Sequence, residues 1–297
     1  MIQPCRERDI PEAVLLLELT SAADGRFRWR RALEDPGTRA VVAVDGGRVV
    51  GAGLVGTVPD FRGQSPIGLA VAPEVRGRGI GTALAGELAA LASGQSGIFA
   101  MTLRDDLPGG LRFAERAGLA VVNHCTGWTI RLADPQALRA AAGEAAARSG
   151  VRLDETTMGE SRDRFVAAAA DSVAGMPTDT PIDLERFAAG MPDETVLLFA
   201  SDAGGTAGVC LIRPDGEAGG WHTSYTGVVT RCRRRGVARA LKLASFAAAA
   251  ARGGTAMHGE NDDRNAPMLA LSAAVGMRRG LGYWALAGER ITAPRRS

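Results

Sequence analysis

The hydrophobic positions of this chain follow helical and strand spacing in an order that occurs twice. In the first half, residues 10–19 show helical spacing, and the segments 40–44 and 48–55 form an apolar hairpin around a glycine-containing turn. The pattern then predicts a strand over 67–71, a helix from 79 to about 91, a strand over 97–103, a short helix over 111–117 and a strand over 119–122.

The second half repeats this order after a less regular beginning. Helical spacing appears over 161–173 and 183–188, with a loop over 176–183 between them. The hairpin strands 196–200 and 207–212, a central strand over 221–228, a helix over 237–251, a strand over 254–259 and a short helix from Asn265 to before Gly276 follow. An alanine-rich stretch over 133–150 predicts a connecting helix and linker.

Fixed offsets indicate that the two halves are copies of one unit. Three pairs of landmarks are separated by 157, 157 and 158 residues: Gly79 and Gly236, Asp105 and Asp262, Gly118 and Gly276. A length of 297 residues suits two domains of ordinary size. We predict a first domain over 1–132, a helical linker over 133–150 and a second domain over 151–297.

Composition excludes several classes of function. With 35 basic and 33 acidic residues, the net charge of +2 gives no general reason to expect nucleic acid or membrane binding. The first residues lack the apolar stretch of a secretion signal, and no apolar run reaches membrane-spanning length. Four cysteines without C-x-x-C spacing favour reduced thiols in the cytoplasm, and three histidines without ligand spacing predict no metal site.

An anion-binding loop is predicted at the same place in each half. After the strand that ends at Val228, three arginines over 233–235 and Gly236 precede a good helix former. A glycine lets the backbone approach a ligand closely, and a helix N-terminus directs several N–H groups with partial positive charge at one point. The segment 76–82 has the same arrangement in the first half.

These residues resemble the pyrophosphate-binding signature Q/R-x-x-G-x-G/A of the GNAT superfamily of acyl-CoA-dependent N-acetyltransferases. The matching positions are Arg76, Gly79 and Gly81 in the first half and Arg233, Gly236 and Ala238 in the second. The resemblance implies an α/β (α+β) fold with two GNAT domains, each a mixed, mostly antiparallel central sheet flanked by helices. The duplication is similar to the tandem architecture of mycothiol synthase and related actinobacterial acetyltransferases, in which one domain is degenerate.

The resemblance also implies which residues bind acetyl-CoA or another acyl-CoA. The acyl carbonyl would accept a hydrogen bond from the backbone of the central strand, and the loop would hold the pyrophosphate. In the first half these residues are Leu69, Ala70, Val71, Arg76, Gly77, Arg78, Gly79, Ile80, Gly81 and Thr82. In the second half they are Thr226, Gly227, Val228, Arg233, Arg234, Arg235, Gly236, Val237, Ala238, Arg239 and Asn265.

Catalytic side chains are expected in the second half. His222 occupies the place from which many family members project a base, and histidine accepts a proton near neutral pH, whereas Ser65 at the equivalent place of the first half does not. Many relatives carry a tyrosine as general acid where this chain has Ser272, which could hydrogen-bond the coenzyme sulfur or relay a water. Tyr225 and Tyr283 are the alternative candidates for the acid. Asn265 could contact the coenzyme or simply cap its helix.

We therefore expect an N-acyltransferase that moves an acetyl group from acetyl-CoA to a primary amine of a small molecule, with the second half catalytic and the first degenerate. Four acidic residues suggest a cationic acceptor such as an amino sugar or an antibiotic-like amine: Asp179, Asp183, Glu185 and Glu217. Two alternatives stay open, namely a non-catalytic acyl-CoA sensor or scaffold and a protein acetyltransferase for lysine side chains or chain N-termini.

Overall fold

The computed structural model describes residues 1–21, 25–56, 63–93, 97–173, 176, 182–216 and 218–294. In chain order the strands are β1 (Ile2–Pro4), β2 (Arg39–Asp45), β3 (Arg48–Val55), β4 (Gln64–Val71), β5 (Ile98–Arg104), β6 (Ala120–Arg131), β7 (Arg152–Thr157), β8 (Val196–Asp202), β9 (Gly205–Pro214), β10 (Gly220–Val228), β11 (Ala256–Asp262) and β12 (Arg278–Gly288). The helices are α1 (Ile10–Glu18), α2 (Gly25–Glu34), α3 (Ile80–Ala92), α4 (Pro108–Arg116), α5 (Pro135–Ser149), α6 (Met158–Val173), α7 (Leu184–Ala189), α8 (Val237–Ala251) and α9 (Ala266–Ala274).

The chain forms two compact units, and the predicted fold class is confirmed. Unit 1 consists of Met1–Cys125 with Leu281–Ser297, and unit 2 consists of Thr126–Gly280. Each contains a mixed, mostly antiparallel sheet with helices packed on it. Among the described residues, no helix is long and apolar enough to span a membrane.

The sheet of unit 1 has the strand order β1-β2-β3-β4-β5, followed by β12. Neighbouring strands are antiparallel except β4 and β5, whose parallel register covers only Gln64–Pro66 against Ile98–Ala100. One apolar core, built with α1 and Trp29 of α2, includes Ala52, Leu54 and Ala70 of the sheet. A second core combines α3 and α4 with other residues of the sheet. Beyond Pro66 the two central strands separate, which leaves room for a ligand between them.

The sheet of unit 2 repeats this plan with the order β7-β8-β9-β10-β11, followed by β6. Its parallel pair, β10 and β11, is in register over Gly220–His222 and Ala256–His258. An irregularity between Thr223 and Tyr225 shifts the register of β10 against β9. Because such a bulge bends a strand, it contributes to the separation of β10 from β11 beyond the paired residues.

The unit boundaries differ from the predicted ones because each half supplies a strand to the other unit. β6 begins in unit 1 and ends in unit 2, whereas β12 begins in unit 2 and ends in unit 1. In unit 1 the residues Tyr283–Gly288 of β12 pair with β5. A division at residues 132 and 151 takes account only of position along the chain, and strand pairing decides the actual division.

The predicted linker helix is part of the packed core of unit 2. Asp134 caps the start of α5, since its carboxylate accepts the N–H of Ala137 at 3.2 Å, and Gly150 caps its end in the left-handed region with φ +65°. Ala142, Ala145 and Ala146 are buried in the same cluster as residues of α8. Small side chains allow two helices to approach closely, so the alanine-rich composition serves packing rather than a free connection.

Two elements carried no clear sequence signal. β7, with the sequence RLDETT, is polar because it lies at the end of the strand order and pairs only with β8 among its described neighbours. α2 is rich in arginine, and its one deeply buried described side chain is Trp29. Tertiary contacts stabilise both elements where local periodicity is weak.

Candidate functional site

The glycine–arginine loop of unit 1 joins β4 to α3. Gly79 caps α3 in the left-handed region with φ +83°, and Gly77 adopts φ +79°. Arg76 Nε donates to the carbonyl oxygen of Val71 at 3.0 Å, and Arg78 Nη2 donates to that of Glu74 at 3.4 Å. Within the described part of the chain neither guanidinium has a carboxylate partner, so both charges are available to an anion.

A cavity of about 810 Å³ opens beside this loop. Its lining includes every cofactor-binding residue predicted in the first half: Leu69, Ala70, Val71, Arg76, Gly77, Arg78, Gly79, Ile80, Gly81 and Thr82. The volume is in the range of small-molecule sites. The structure therefore brings the predicted residues of β4, the loop and the first turn of α3 together around one space.

Much of the remaining wall of the cavity carries no signal in the sequence. Phe113 of α4, Met101 of β5 and Thr20 after α1 line the cavity, as do Ile291 and Pro294 near the end of the chain. Thr292 N–H donates to the carbonyl oxygen of Ala117 at 2.9 Å and holds this last segment against α4. No local pattern in the sequence links this last segment to the loop over 76–82, which lies more than 200 residues earlier. Only the fold shows that the segment forms part of the wall.

The loop of unit 2 has the same backbone geometry. Gly236 caps α8 with φ +88°, and Arg233 Nε donates to the carbonyl oxygen of Val228 at 3.4 Å, as Arg76 does to Val71. Arg234 takes a φ of +64° at the position that Gly77 occupies in unit 1. The resemblance between the halves therefore extends to individual backbone angles.

Part of the charge of this second loop is already partnered within unit 2. The carboxylate of Asp202 accepts from Arg231 at 2.8 Å and from Arg235 at 3.1 Å. Hydrogen bonding to Arg231, with smaller contributions from Gly204 N–H and Arg235, lowers the pKa of Asp202 to about 2. Two guanidinium groups that could have bound a pyrophosphate are thus held by a carboxylate of the protein itself.

Unit 2 also has large basic side chains at positions where unit 1 has small residues. At the offset of 157 residues, Lys242 corresponds to Ala85 and Arg239 to Thr82, and both Ala85 and Thr82 line the cavity of unit 1. Arg239 Nη1 donates to the carbonyl oxygen of Ala274 at 2.9 Å, and Lys242 Nζ lies 3.7 Å from Met277 Sδ. Burial lowers the pKa of the Lys242 ammonium. These contacts cross the space between α8 and α9.

His222 lies in a buried polar network. Its Nε2 is 2.8 Å from Glu260 Oε2 and its Nδ1 is 3.1 Å from Ser224 Oγ, and only 4% of the residue is exposed. Both ring nitrogens therefore have partners inside unit 2. The role of His222 as a proton acceptor stays a prediction, and it would require these contacts to open.

The other predicted catalytic residues of unit 2 are also enclosed. Tyr225 Oη lies 2.6 Å from Ser172 Oγ, and burial raises the pKa of its phenol. Ser272, with no exposed surface, donates to Asn261 Oδ1 at 2.8 Å. Asn265 caps α9, with its side-chain oxygen 3.4 Å from Met268 N.

The remaining predicted residues of unit 2 lie around the end of β10 and the start of α8. Thr226 Oγ1 is 3.4 Å from Cys210 Sγ, and any side chain at Gly227 would collide with Ser172. Val237 is buried in the core, whereas Ala238 is partly exposed in the first turn of α8. The structure places these residues near one another, but side chains from α6 and β9 contact them.

Of the four acidic residues suggested for the acceptor, Asp179 and Glu217 lie outside the described residues. Asp183 caps α7, since its Oδ1 accepts the N–H of Arg186 at 3.2 Å. Glu185 is exposed in the first turn of the same helix.

Two units, each with separated parallel strands in a mostly antiparallel sheet and a glycine–arginine loop before a helix, define a tandem GNAT fold. Comparison with known proteins agrees with this class. Residues 7–119 match the acetyltransferase (GNAT) family model.

One relative is similar to part of the chain. The chain is 36% identical over 117 residues to mycothiol acetyltransferase of Kocuria rhizophila, an alignment that covers 37% of this chain and 38% of that protein. The similarity thus spans little more than a third of the relative's length.

Solved structures resemble the whole chain in fold. A tandem GNAT protein from the clavulanic acid biosynthesis pathway has a TM-score of 0.71 at 20% identity, with 100% of this chain and 99% of that chain covered. A GCN5-related N-acetyltransferase from Sphaerobacter thermophilus has a TM-score of 0.70 at 20% identity, with 98% and 96% covered.

Proposed function

We propose that the protein is an acyl-CoA-dependent N-acyltransferase that acts on a primary amine of a small molecule, with acetyl-CoA as the simplest donor. The observation that carries the proposal is the cavity of unit 1, which joins the loop over 76–82 to the separated part of β4. The family match over residues 7–119 supports it, because the matched segment contains both the loop and β4.

The proposal assigns donor binding to unit 1, whereas the sequence alone favoured unit 2. Among the described residues of unit 1, Arg76 and Arg78 donate hydrogen bonds only to backbone carbonyl groups, and small residues line the space beside α3. In unit 2, Asp202 neutralises two arginines and Lys242 replaces the equivalent alanine. An anionic ligand gains more from unpaired guanidinium groups, because a paired one must first give up its carboxylate.

In this proposal, residues of unit 1 bind the acyl-CoA donor and orient its thioester. The N–H groups at the start of α3 and the guanidinium groups of Arg76 and Arg78 would hold the pyrophosphate. A backbone N–H over Leu69–Val71 would bond the thioester carbonyl and stabilise the negative charge that develops on its oxygen. The amine nitrogen then forms a bond to the carbonyl carbon as the carbon–sulfur bond breaks; nitrogen loses a proton and the leaving thiolate takes one up.

Calorimetric titration with acetyl-CoA tests the proposal on a matched pair of variants. Gly81→Glu places a carboxylate in the first turn of α3 without a strained backbone angle, and its Cβ would meet Phe113 at an ordinary 3.5 Å. Ala238→Glu makes the same change at the equivalent position of unit 2. We expect Gly81→Glu to abolish binding and Ala238→Glu to leave it unchanged, because a carboxylate excludes the pyrophosphate only where that group binds.

Turnover decides between an enzyme and the alternatives. Coenzyme release should be measured with wild type and with Gly81→Glu on a panel of amino sugars, polyamines, neutral amines and lysine-containing peptides. Release that depends on a small amine and disappears in Gly81→Glu supports the proposal. Binding without release on any amine would instead indicate an acyl-CoA sensor, and loss of binding only in Ala238→Glu would move the donor site to unit 2.

A further inference from the structure

Away from the proposed donor site, three side chains of unit 2 form one continuous hydrogen-bonded series. His222 and Ser224 lie on β10, and Glu260 lies on β11. Ser224 Oγ is 3.1 Å from His222 Nδ1, and His222 Nε2 is 2.8 Å from Glu260 Oε2. A hydroxyl, an imidazole and a carboxylate in this order are the parts of a nucleophile activated by a base, with the base oriented by a third group.

The contact with Glu260 decides which nitrogen of His222 can accept a proton. An ionised carboxylate only accepts hydrogen bonds, so a neutral imidazole carries its proton on Nε2, the nitrogen that faces Glu260. The lone pair of Nδ1 is then directed at Ser224 Oγ, whose hydroxyl donates to it. To act as a base toward an amine, His222 would have to break these contacts. Toward Ser224, the required contact is already made.

The three groups differ in their exposure to solvent. His222 is 4% exposed and the side chain of Glu260 is 12% exposed. Charges interact more strongly away from water, so the carboxylate stabilises the imidazolium that forms when His222 takes up a proton. Ser224, by contrast, is partly exposed. The hydroxyl is therefore accessible to a small molecule, while the base and the carboxylate are held in place.

The geometry of β10 places Ser224 where the two central strands of unit 2 separate. The parallel register of β10 with β11 ends at His222 and His258. Against β9 the register passes directly from Thr223 to Tyr225, so Ser224 is the additional residue of a bulge. Bulges of this kind redirect a side chain, and they are frequent beside active sites.

The fold does not require this series of polar groups. At the offset of 157 residues, unit 1 has different residues at the three places, namely Ser65, Ile67 and Leu103. Both the isoleucine and the leucine are buried in the apolar core. Unit 1 therefore forms the same type of sheet without a histidine, a carboxylate or a hydroxyl at the corresponding contacts, so the series is a property of unit 2 alone.

We propose that Ser224 is a nucleophile that takes the acyl group of a small carboxylic ester, with His222 as its base and Glu260 as the residue that positions His222. Ser224 Oγ forms a bond to the carbonyl carbon while His222 Nδ1 takes the hydroxyl proton. The bond from this carbon to the leaving oxygen then breaks, and His222 gives its proton to that oxygen. Water attacks the acyl-serine with His222 again as base, which yields a carboxylic acid and the free serine.

The surroundings of Ser224 favour a short acyl group. Tyr225, the next residue of β10, is 8% exposed, and its hydroxyl lies 2.6 Å from Ser172 Oγ. On the other side, His222 is buried against Glu260. Enclosed neighbours on both sides leave little space for a long chain, so an acetyl ester is the suitable probe.

Reaction of the full chain with p-nitrophenyl acetate tests the proposal. We expect a burst of about one equivalent of nitrophenolate per chain, followed by slower release, because an alkyl ester of serine hydrolyses more slowly than a nitrophenyl ester. Peptide mass spectrometry after acid quenching should locate the acetyl group on Ser224. Ser224→Ala should lose the burst. Ser201→Ala, which changes another partly exposed serine of unit 2, is the matched control and should keep it.

Variants of the other two residues separate a chemical role from a structural one. His222→Ala should lower the acylation rate constant by about 10²–10⁴-fold. Added imidazole should restore part of the rate, since a free base can replace the missing one but cannot repair a fold. Glu260→Ala should also slow acylation, and Glu260→Asp, which keeps the carboxylate, should recover part of the loss.

A second reagent keeps the test valid if Ser224→Ala unfolds. Phenylmethylsulfonyl fluoride should label Ser224 in the wild-type protein, with loss of the nitrophenolate burst. Acetyl groups found only on lysine side chains or the chain N-terminus, together with no adduct of either reagent on Ser224, would overturn the proposal. A burst that survives in folded Ser224→Ala would overturn it as well. Neither reagent is a coenzyme thioester, so the calorimetric test with Gly81→Glu decides the proposed function of unit 1 independently.

Discussion

At the scale of single residues, the two loops differ in ways that change their chemistry while their backbones agree. Arg234 and Gly77 occupy equivalent positions with φ of +64° and +79°. A residue with a Cβ is destabilised by steric strain in this conformation, whereas glycine adopts it without such strain. The second loop therefore keeps the shape of an anion-binding loop at a cost that the first loop avoids.

Replacing Arg234 with glycine should stabilise unit 2. Relief of the left-handed conformation is worth about 1–2 kcal/mol, and the extra entropy of glycine in the unfolded chain costs about 0.5–1 kcal/mol. We expect the free energy of unfolding in urea to rise by about 0.5–1 kcal/mol. The reciprocal change Gly77→Arg should lower it by a similar amount, because no atom lies within 4 Å of a Cβ at Gly77 and only the backbone opposes it. Equal stability of both variants would contradict this account.

The contacts of Asp202 predict a dependence of stability on pH. Its pKa is lowered from 3.8 to about 2 in the folded protein, first by Arg231. A group with a depressed folded pKa stabilises the protein above its unfolded pKa, and this contribution is lost as pH falls through the folded value. The loss should therefore occur between about pH 4 and pH 2. Thermal unfolding of Asp202→Asn across this window should show a smaller decrease in Tm than wild type; parallel curves would show that Asp202 contributes nothing.

At the scale of elements, β12 shows how a strand can serve a unit distant in sequence. Leu286 of β12 is fully buried in the core of unit 1 with Phe99 and Leu103 of β5. The pairing of β12 with β5 thus extends the sheet of unit 1 and carries the chain on to Ile291 in the cavity wall. α5, by contrast, lies within the continuous segment of unit 2, where its buried alanines pack with α8.

Truncation of Leu286 measures this contribution. Leu286→Ala should lower the free energy of unfolding by about 2–5 kcal/mol, because it removes buried methyl groups and leaves a cavity. Leu281, on the same strand, is 38% exposed. Leu281→Ala is the matched control, and its effect should stay within about 0.5 kcal/mol. Chemical denaturation of both variants, followed by circular dichroism, provides the comparison, and similar losses would show that β12 does not support unit 1 through its buried face.

At the scale of the whole molecule, the fold was largely predictable because the same order of hydrophobic patterns and turn glycines occurs in both halves of the chain. Turn glycines, apolar strands and short helices recur at an offset of 157 or 158 residues, so a weak pattern in one half is supported by the other. Boundaries were less accurate. α4 begins at Pro108, three residues before the predicted start, since proline is well tolerated in the first turn of a helix.

The candidate site was only partly predictable. The sequence predicted a loop over 76–82 directly after the strand that is β4, and these loop residues line the cavity, because strand, loop and helix are adjacent along the chain. It could not show that Asp202 pairs with Arg231 and Arg235, since Asp202 lies about thirty residues before them, at the end of β8, whereas they lie in the loop after β10. The sequence favoured unit 2 because of the types of side chain at the predicted catalytic positions. How far side chains fill the space in unit 2 depends on packing, which side-chain type alone does not show.

The sequence by itself thus determined the class of fold, the duplication and the position of both glycine–arginine loops, because these depend on local backbone preferences and periodicity. The tertiary structure decided which strands complete which sheet, where the cavity lies and which charges are free to bind a ligand. Those properties depend on contacts between residues far apart in the chain, such as Ile291 with α4 and Lys242 with Met277. Sequence spacing carries no record of such contacts.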